Sequence, residues 1–150
     1  MDEILFPDKI VIEGKEYEFD LESDLKINDA DLNSEFCKQA KLFAIYATAY
    51  ERALHDSSLL KVKLDRLCAH LEYQGRMEAT SAGIKFTEKM ADAYVNGHAQ
   101  YLEANTELLK YQEIVGLLKH AKDAIVQKRD MLMQLGASQR EELRSNIMVK

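Results

Sequence analysis

Residues 42–71 read LFAIYATAYERALHDSSLLKVKLDRLCAHL. Phe43, Tyr46, Tyr50, Ala53, Ser57, Leu60, Leu64, Leu67 and Leu71 recur there at spacings of three and four, without a slip. That is a heptad seam on a long helix. Only Ser57 is polar in it. His55-Asp56-Ser57-Ser58 is the expected bend, with Asp56 able to restart a helix. The first turns carry more than a seam: Leu42, Phe43, Ala44, Ile45, Tyr46 and Ala47 are apolar around the whole circumference. A helix that is apolar all round must be covered on several sides. Either a neighbouring segment packs here or a second subunit does, and an oligomer interface is expected at Leu42, Phe43, Ile45, Tyr46 and Tyr50.

Working outward, Ser34 offers the N-cap of this helix. Gly75, Gly83 and Gly97 mark a turn-around. Ile84-Lys85-Phe86 reads as extended, and Thr87 caps a short helix that Gly97 ends. A second long helix is expected from about Ala99 to Leu135. Its apolar face is Ala104, Leu108, Tyr111, Val115, Leu118, Ala121, Ile125, Leu132 and Leu135. Gly136 sits where a C-cap belongs, and Ser138-Gln139-Arg140-Glu141 is a capping box for a last short helix. Before all this, Ile10-Val11-Ile12 and Tyr17-Glu18-Phe19 flank Glu13-Gly14-Lys15-Glu16 and predict a β-hairpin. The alternative is a disordered acidic arm.

The predicted fold is therefore mostly α. It is a long antiparallel helical hairpin with short extra helices and a small N-terminal β-hairpin, and it is oligomer-forming. Residues 1–33 form an acidic arm and residues 34–150 the helical hairpin domain. One proline and no tryptophan in 150 residues argue against a turn-rich β sandwich. The longest nearly apolar stretch, Leu42–Tyr50, is far short of a membrane span. Met1-Asp2-Glu3 is acidic where a signal peptide is basic, so a cytoplasmic location is expected. Cys37 and Cys68, on one helix, would lie about 46 Å apart, too far to bridge.

The net charge of −6 counts against nucleic acid until it is divided. Residues 1–35 hold 12 Asp/Glu and 3 Lys/Arg, a balance of −9, and residues 36–150 hold 14 and 17, a balance of +3. The body is mildly basic behind an acidic arm. No catalytic or cofactor motif occurs. His55, His70, His98 and His120 form no metal-ligand spacing. There is no phosphate-cradling glycine loop and no nucleophile elbow. No enzyme, metal or cofactor is expected. Arg76, Lys85 and Lys89 lie near Tyr73 and Phe86 in sequence, and cations beside flat rings suit a single strand. Ordinary solubilising charge is the competing reading of each.

Two segments carry a resemblance. Leu71-Glu72-Tyr73-Gln74-Gly75-Arg76 ends the first long helix. Asp123-Ala124 is followed by Lys128-Arg129-Asp130-Met131-Leu132-Met133-Gln134-Leu135-Gly136-Ala137 and Arg140-Glu141. Together with the order of elements, they resemble the UvsY-type recombination mediators of tailed phages, over about residues 36–145. The resemblance implies a non-enzymatic, ring-like homo-oligomer in the bacterial host cell. It implies binding of single-stranded DNA and help to a RecA-like recombinase in displacing the single-strand-binding protein. Family members place basic residues just before the L-[DE]-Y segment, where this chain has Cys68 and His70. The contact then falls to Arg66, His70, Tyr73, Arg76, Lys85 and Lys89. Two other readings compete. One is a non-enzymatic phage interaction protein (inhibitor, adaptor or assembly chaperone) acting through its hairpin and acidic arm. The other is a structural coiled-coil component of a particle.

Overall fold

The computed structural model describes residues 6–148. Its elements are β1 (Lys9–Ile12), β2 (Lys15–Glu18), α1 (Leu21–Leu25), a 3-10 turn (Asp29–Asp31), α2 (Leu32–Ser81), α3 (Glu88–Asn96) and α4 (Ala99–Met148). The mostly helical fold and the N-terminal β-hairpin are as the sequence predicts. The chain divides into two compact units. Unit 1 is made of residues 6–52 and 116–148, and unit 2 is the continuous stretch Ala53–Val115.

In unit 1, β1 and β2 pair antiparallel with Ile10 opposite Tyr17 and Ile12 opposite Lys15. Glu13 and Gly14 both take positive φ, 53° and 71°, which is the two-residue turn whose twist suits a hairpin. The loop is thus shorter than predicted, and Lys15 and Glu16 join the strand. Ile10 and Ile12 point inward and are buried, while Lys9 and Val11 face out. A two-stranded hairpin needs backing to persist. Here Phe6, Phe19 and Tyr46 of α2 supply it, with ring centroids 5.3–6.4 Å apart. The Tyr46 hydroxyl donates to Asp24 at 2.8 Å, and Arg52 donates to the Tyr17 hydroxyl at 2.7 Å. So the apolar circumference of early α2 is covered in part by the chain's own arm.

The start of α2 differs from the sequence reading. Asp31, and not Ser34, is the cap: its carboxylate accepts the Ser34 amide at 3.1 Å. A carboxylate there also faces the positive end of the helix dipole. The inward positions of unit 1 on α2 are Leu32, Glu35, Gln39, Tyr46 and Ala49. They meet Leu118, Ala121, Ile125, Lys128 and Leu132 of α4. Phe43, expected in the seam, is 42% exposed. Three residues from Tyr46, it sits about 60° round the helix, and Gln39 takes the inward position seven residues before Tyr46.

In unit 2 the seam holds: Ala53, Ser57, Leu64 and Leu71 are buried on α2, and Leu108 on α4. The helix is not interrupted at 55–58, and Ser58 returns its hydroxyl to the Leu54 carbonyl at 3.0 Å within it. α2 runs through Gly75 and stops at Gly83, whose φ is +72°. The amides of Gly83 and Ile84 close on the carbonyls of Thr80 and Ala79 at 3.1 and 2.9 Å, a paired helix-end closure. Residues 84–87 connect to α3 without forming a ladder. Thr87 caps α3, accepting the Met90 amide at 3.3 Å, and Gly97 follows its end.

The end of α4 is a second correction. Gly136 does not stop it, and among the described residues there is no separate last helix: α4 is one helix of 50 residues. A Cβ on Gly136 would lie 3.6 Å from the Phe36 ring. The glycine is therefore a helix-interior residue against an aromatic neighbour and not a cap.

Candidate nucleic-acid interface

The six candidate residues for DNA contact all belong to unit 2. Arg66, His70 and Tyr73 stand at i, i+4 and i+7 of α2, so they share one face. That face is open: Arg66 and His70 are exposed and Tyr73 is 61% exposed. Among the described residues, no ion pair or hydrogen bond engages the side chains of Arg66, His70, Lys85 or Lys89. Lys85 lies on the connection after α2 and Lys89 in the first turn of α3, both exposed.

Arg76 is differently placed. Its guanidinium donates to Glu72 at 3.1 Å and lies 5.7 Å from the centre of the Phe86 ring. Phe86 is half-buried and not an open platform. The reason is Gly75. A Cβ there would come to 3.0 Å of both the Phe86 and the Tyr94 rings, so the missing side chain is what lets both rings close on α2. Tyr94 then donates its hydroxyl to Glu78 at 3.1 Å. Of the residues the sequence groups around the turn, the structure brings Arg76 and Phe86 together as packing, and leaves Tyr73 as the open ring. Cys68, on the same helix, is half-buried. Burial, followed by the nearby Asp65 charge, pushes its thiol up.

Other residues of that face escaped the sequence reading. Leu59, Val62 and Met77 share it with Arg66, His70 and Tyr73, and they are 47%, 50% and 52% exposed. Their spacings of three and four were visible, but the main seam was stronger and drew the pattern to itself.

The expected oligomer residues are divided. Tyr46 is fully buried within its own chain, and burial together with its bond to Asp24 holds its hydroxyl far above the usual phenol range. Tyr50 is half-buried, with the Lys122 ammonium 4.6 Å from its ring centre. Leu42 is half-buried, while Phe43 and Ile45 are exposed. Phe43 borders an apolar groove of about 300 Å³ with Phe36, Ala40 and Val126.

Unit 1 also holds a polar cluster unforeseen in sequence. Lys128 is 4% exposed, pairs with Glu35 at 2.9 Å and donates to the Asp24 carbonyl at 2.8 Å. Lys128 bonding, above all, draws the Glu35 carboxyl below its ordinary range, against the opposing effect of burial. Gln39 donates to the Ile125 carbonyl at 2.6 Å. A signal existed: the α4 stripe runs from Ile125 to Leu132 with a gap, and Lys128 occupies the inward place within it.

Among the described residues no group of carboxylates, histidines and cysteines could hold a metal ion. No described helix is long and apolar enough to cross a membrane. No protein-family model, curated protein or solved structure matches the chain.

Proposed function

We propose that this chain is a homo-oligomeric, non-enzymatic recombination mediator of the UvsY type, working in the cytoplasm of a phage-infected bacterium. It binds single-stranded DNA through unit 2 and helps a RecA-like recombinase replace the single-strand-binding protein. One observation carries the reading: Arg66, His70 and Tyr73 line up on one exposed face of α2, with the Arg66 guanidinium free of protein partners near an open ring. From Arg66 to Tyr73 this face extends about 10 Å, enough for one or two nucleotides. Phosphates want the cations and unstacked bases want the ring. The contact per subunit is small, so oligomerisation supplies useful affinity by avidity. The exposed Phe43 and its groove support a second copy packing on unit 1.

The test is binding of a labelled thymidine oligomer across a salt series, with light scattering of the same samples. Binding that weakens linearly on a log–log salt plot supports the reading, since phosphate contacts release counterions. Absence of binding at low salt, or binding indifferent to salt, would reject it.

A second reading rests on Leu59, Val62 and Met77. Their exposure beside Tyr73 makes the same face of α2 an apolar stripe of the kind that another helix covers. Under that reading the chain is an adaptor or inhibitor that binds protein and not DNA. Capture of a helical partner without any oligonucleotide affinity distinguishes it.

A further inference from the structure

Unit 1 carries two neighbouring grooves along the arm side of α2. One, of about 460 Å³, has Phe19, Ala44, Ile45 and Ala49 in its walls together with Lys41 and Arg52. The other, of about 480 Å³, brings Lys26, Lys38 and Lys41 beside Leu42 and Ile45. Lys41 and Ile45 belong to both, so the two are continuous along α2 from Lys38 to Arg52, about 21 Å.

Charge decides what fits. Among the described residues Lys38, Lys41 and Arg52 enter no ion pair. Arg52 donates only to the neutral Tyr17 hydroxyl. Lys26 is held by Glu22 at 3.3 Å on the surface. The two carboxylates in the walls are already engaged, Glu35 by Lys128 and Asp24 by Tyr46. What remains is a cationic frame around an apolar strip whose middle, Ile45, is 44% exposed. Its α2 wall belongs to the mildly basic body of the chain, and the acidic arm supplies the facing wall.

We propose that this groove docks a short acidic amphipathic segment of a partner protein. A large apolar side chain of the segment sits over Ile45, and flanking carboxylates meet Lys41 and Arg52. A nucleic-acid strand suits the strip less well, because the open floor is aliphatic and Tyr17 is already stacked on Phe19. A second copy presenting the same groove would set Lys41 and Arg52 against their own kind. The proposal does not depend on DNA binding by unit 2.

Fluorescence anisotropy of a labelled peptide, rich in Asp and Glu around a single Phe, tests it on the full chain. The peptide binds, and the Lys41→Glu, Arg52→Glu double variant loses about tenfold in affinity. Ile45→Asp and replacement of the peptide's Phe by Ser cost about as much, while Lys119→Ala changes nothing. Circular dichroism of each variant confirms retained helix. The proposal is overturned by no peptide binding; by equal binding of the Asn/Gln version of the peptide; by an unchanged affinity in the double variant; or by a changed sedimentation mass of that variant, which makes the groove a contact between copies. Displacement of the peptide by a thymidine oligomer, with oligomer affinity lost in the double variant, also overturns it in favour of a nucleic-acid groove.

Discussion

The Lys128 ammonium lies 2.9 Å from Glu35, and both side chains are almost withdrawn from water, at 4% and 10% exposure. The pair joins α4 to the first turn of α2. Desolvating two charges is costly, so the pair contributes little beyond a matched apolar pair, but breaking one side strands the other.

Lys128→Met is therefore expected to cost about 3–5 kcal/mol. The Glu35→Leu, Lys128→Met double variant should recover most of that loss. Urea denaturation of the two variants reads the difference. Equal losses in both would mean that the pair is not the source of the effect.

The same pair sets a pH dependence. Glu35 titrates below its ordinary value of about 4.5 in the folded chain. A carboxyl lowered on folding stabilises fully above that ordinary value and loses the contribution as pH falls through the folded one. The urea midpoint should fall more steeply on acidification below about pH 4.5 in the native chain than in the Glu35→Leu, Lys128→Met variant. Parallel curves would remove Glu35 from the account.

The helical glycines should respond in opposite directions. Gly116 has open space where a Cβ would be, and Gly136 has an ordinary contact with Phe36. Alanine at either should add about 0.5–1 kcal/mol through helix propensity. Gly75 faces two rings at 3.0 Å, so Gly75→Val should cost about 1–3 kcal/mol by overpacking. Hydrogen exchange would show that loss concentrated at α3 and the 84–87 connection.

On the proposed DNA face, Tyr73→Ala should weaken thymidine-oligomer binding by about 1–3 kcal/mol if a base stacks there. Glu72→Gln should do the reverse. It releases Arg76 from its carboxylate partner, tightening binding and steepening the salt slope by roughly 0.7 for one added phosphate contact. An unchanged slope would place Arg76 outside the interface.

Periodicity made the seam from Tyr46 to Leu71 legible, because burial and the 3.6-residue repeat agree along it. The ends were harder to read. Gly75 and Gly136 look like stops, yet both are interior, since tertiary neighbours decide whether a helical glycine ends a helix or admits a ring. Ser34 and Asp31 were both competent caps, and only the 3-10 turn selects Asp31. The cluster of Asp24, Glu35, Tyr46 and Lys128 joins residues up to 104 positions apart, a separation that no local pattern reveals. Of the candidate site, the shared face of Arg66, His70 and Tyr73 follows from spacing alone. That Glu72 and Phe86 would occupy Arg76 does not.

The hydrogen bond from Lys128 to Asp24 also has a consequence in time. Unit 2 is a single continuous stretch, whereas unit 1 needs both flanks of the chain. On the ribosome Asp24 emerges early, but its partner Lys128 is made 104 residues later, a delay of roughly 5–20 s at bacterial and eukaryotic elongation speeds. Throughout that interval Phe19 and Tyr46 lack the finished unit around them. Nascent chains should thus acquire protease resistance in unit 2 before unit 1.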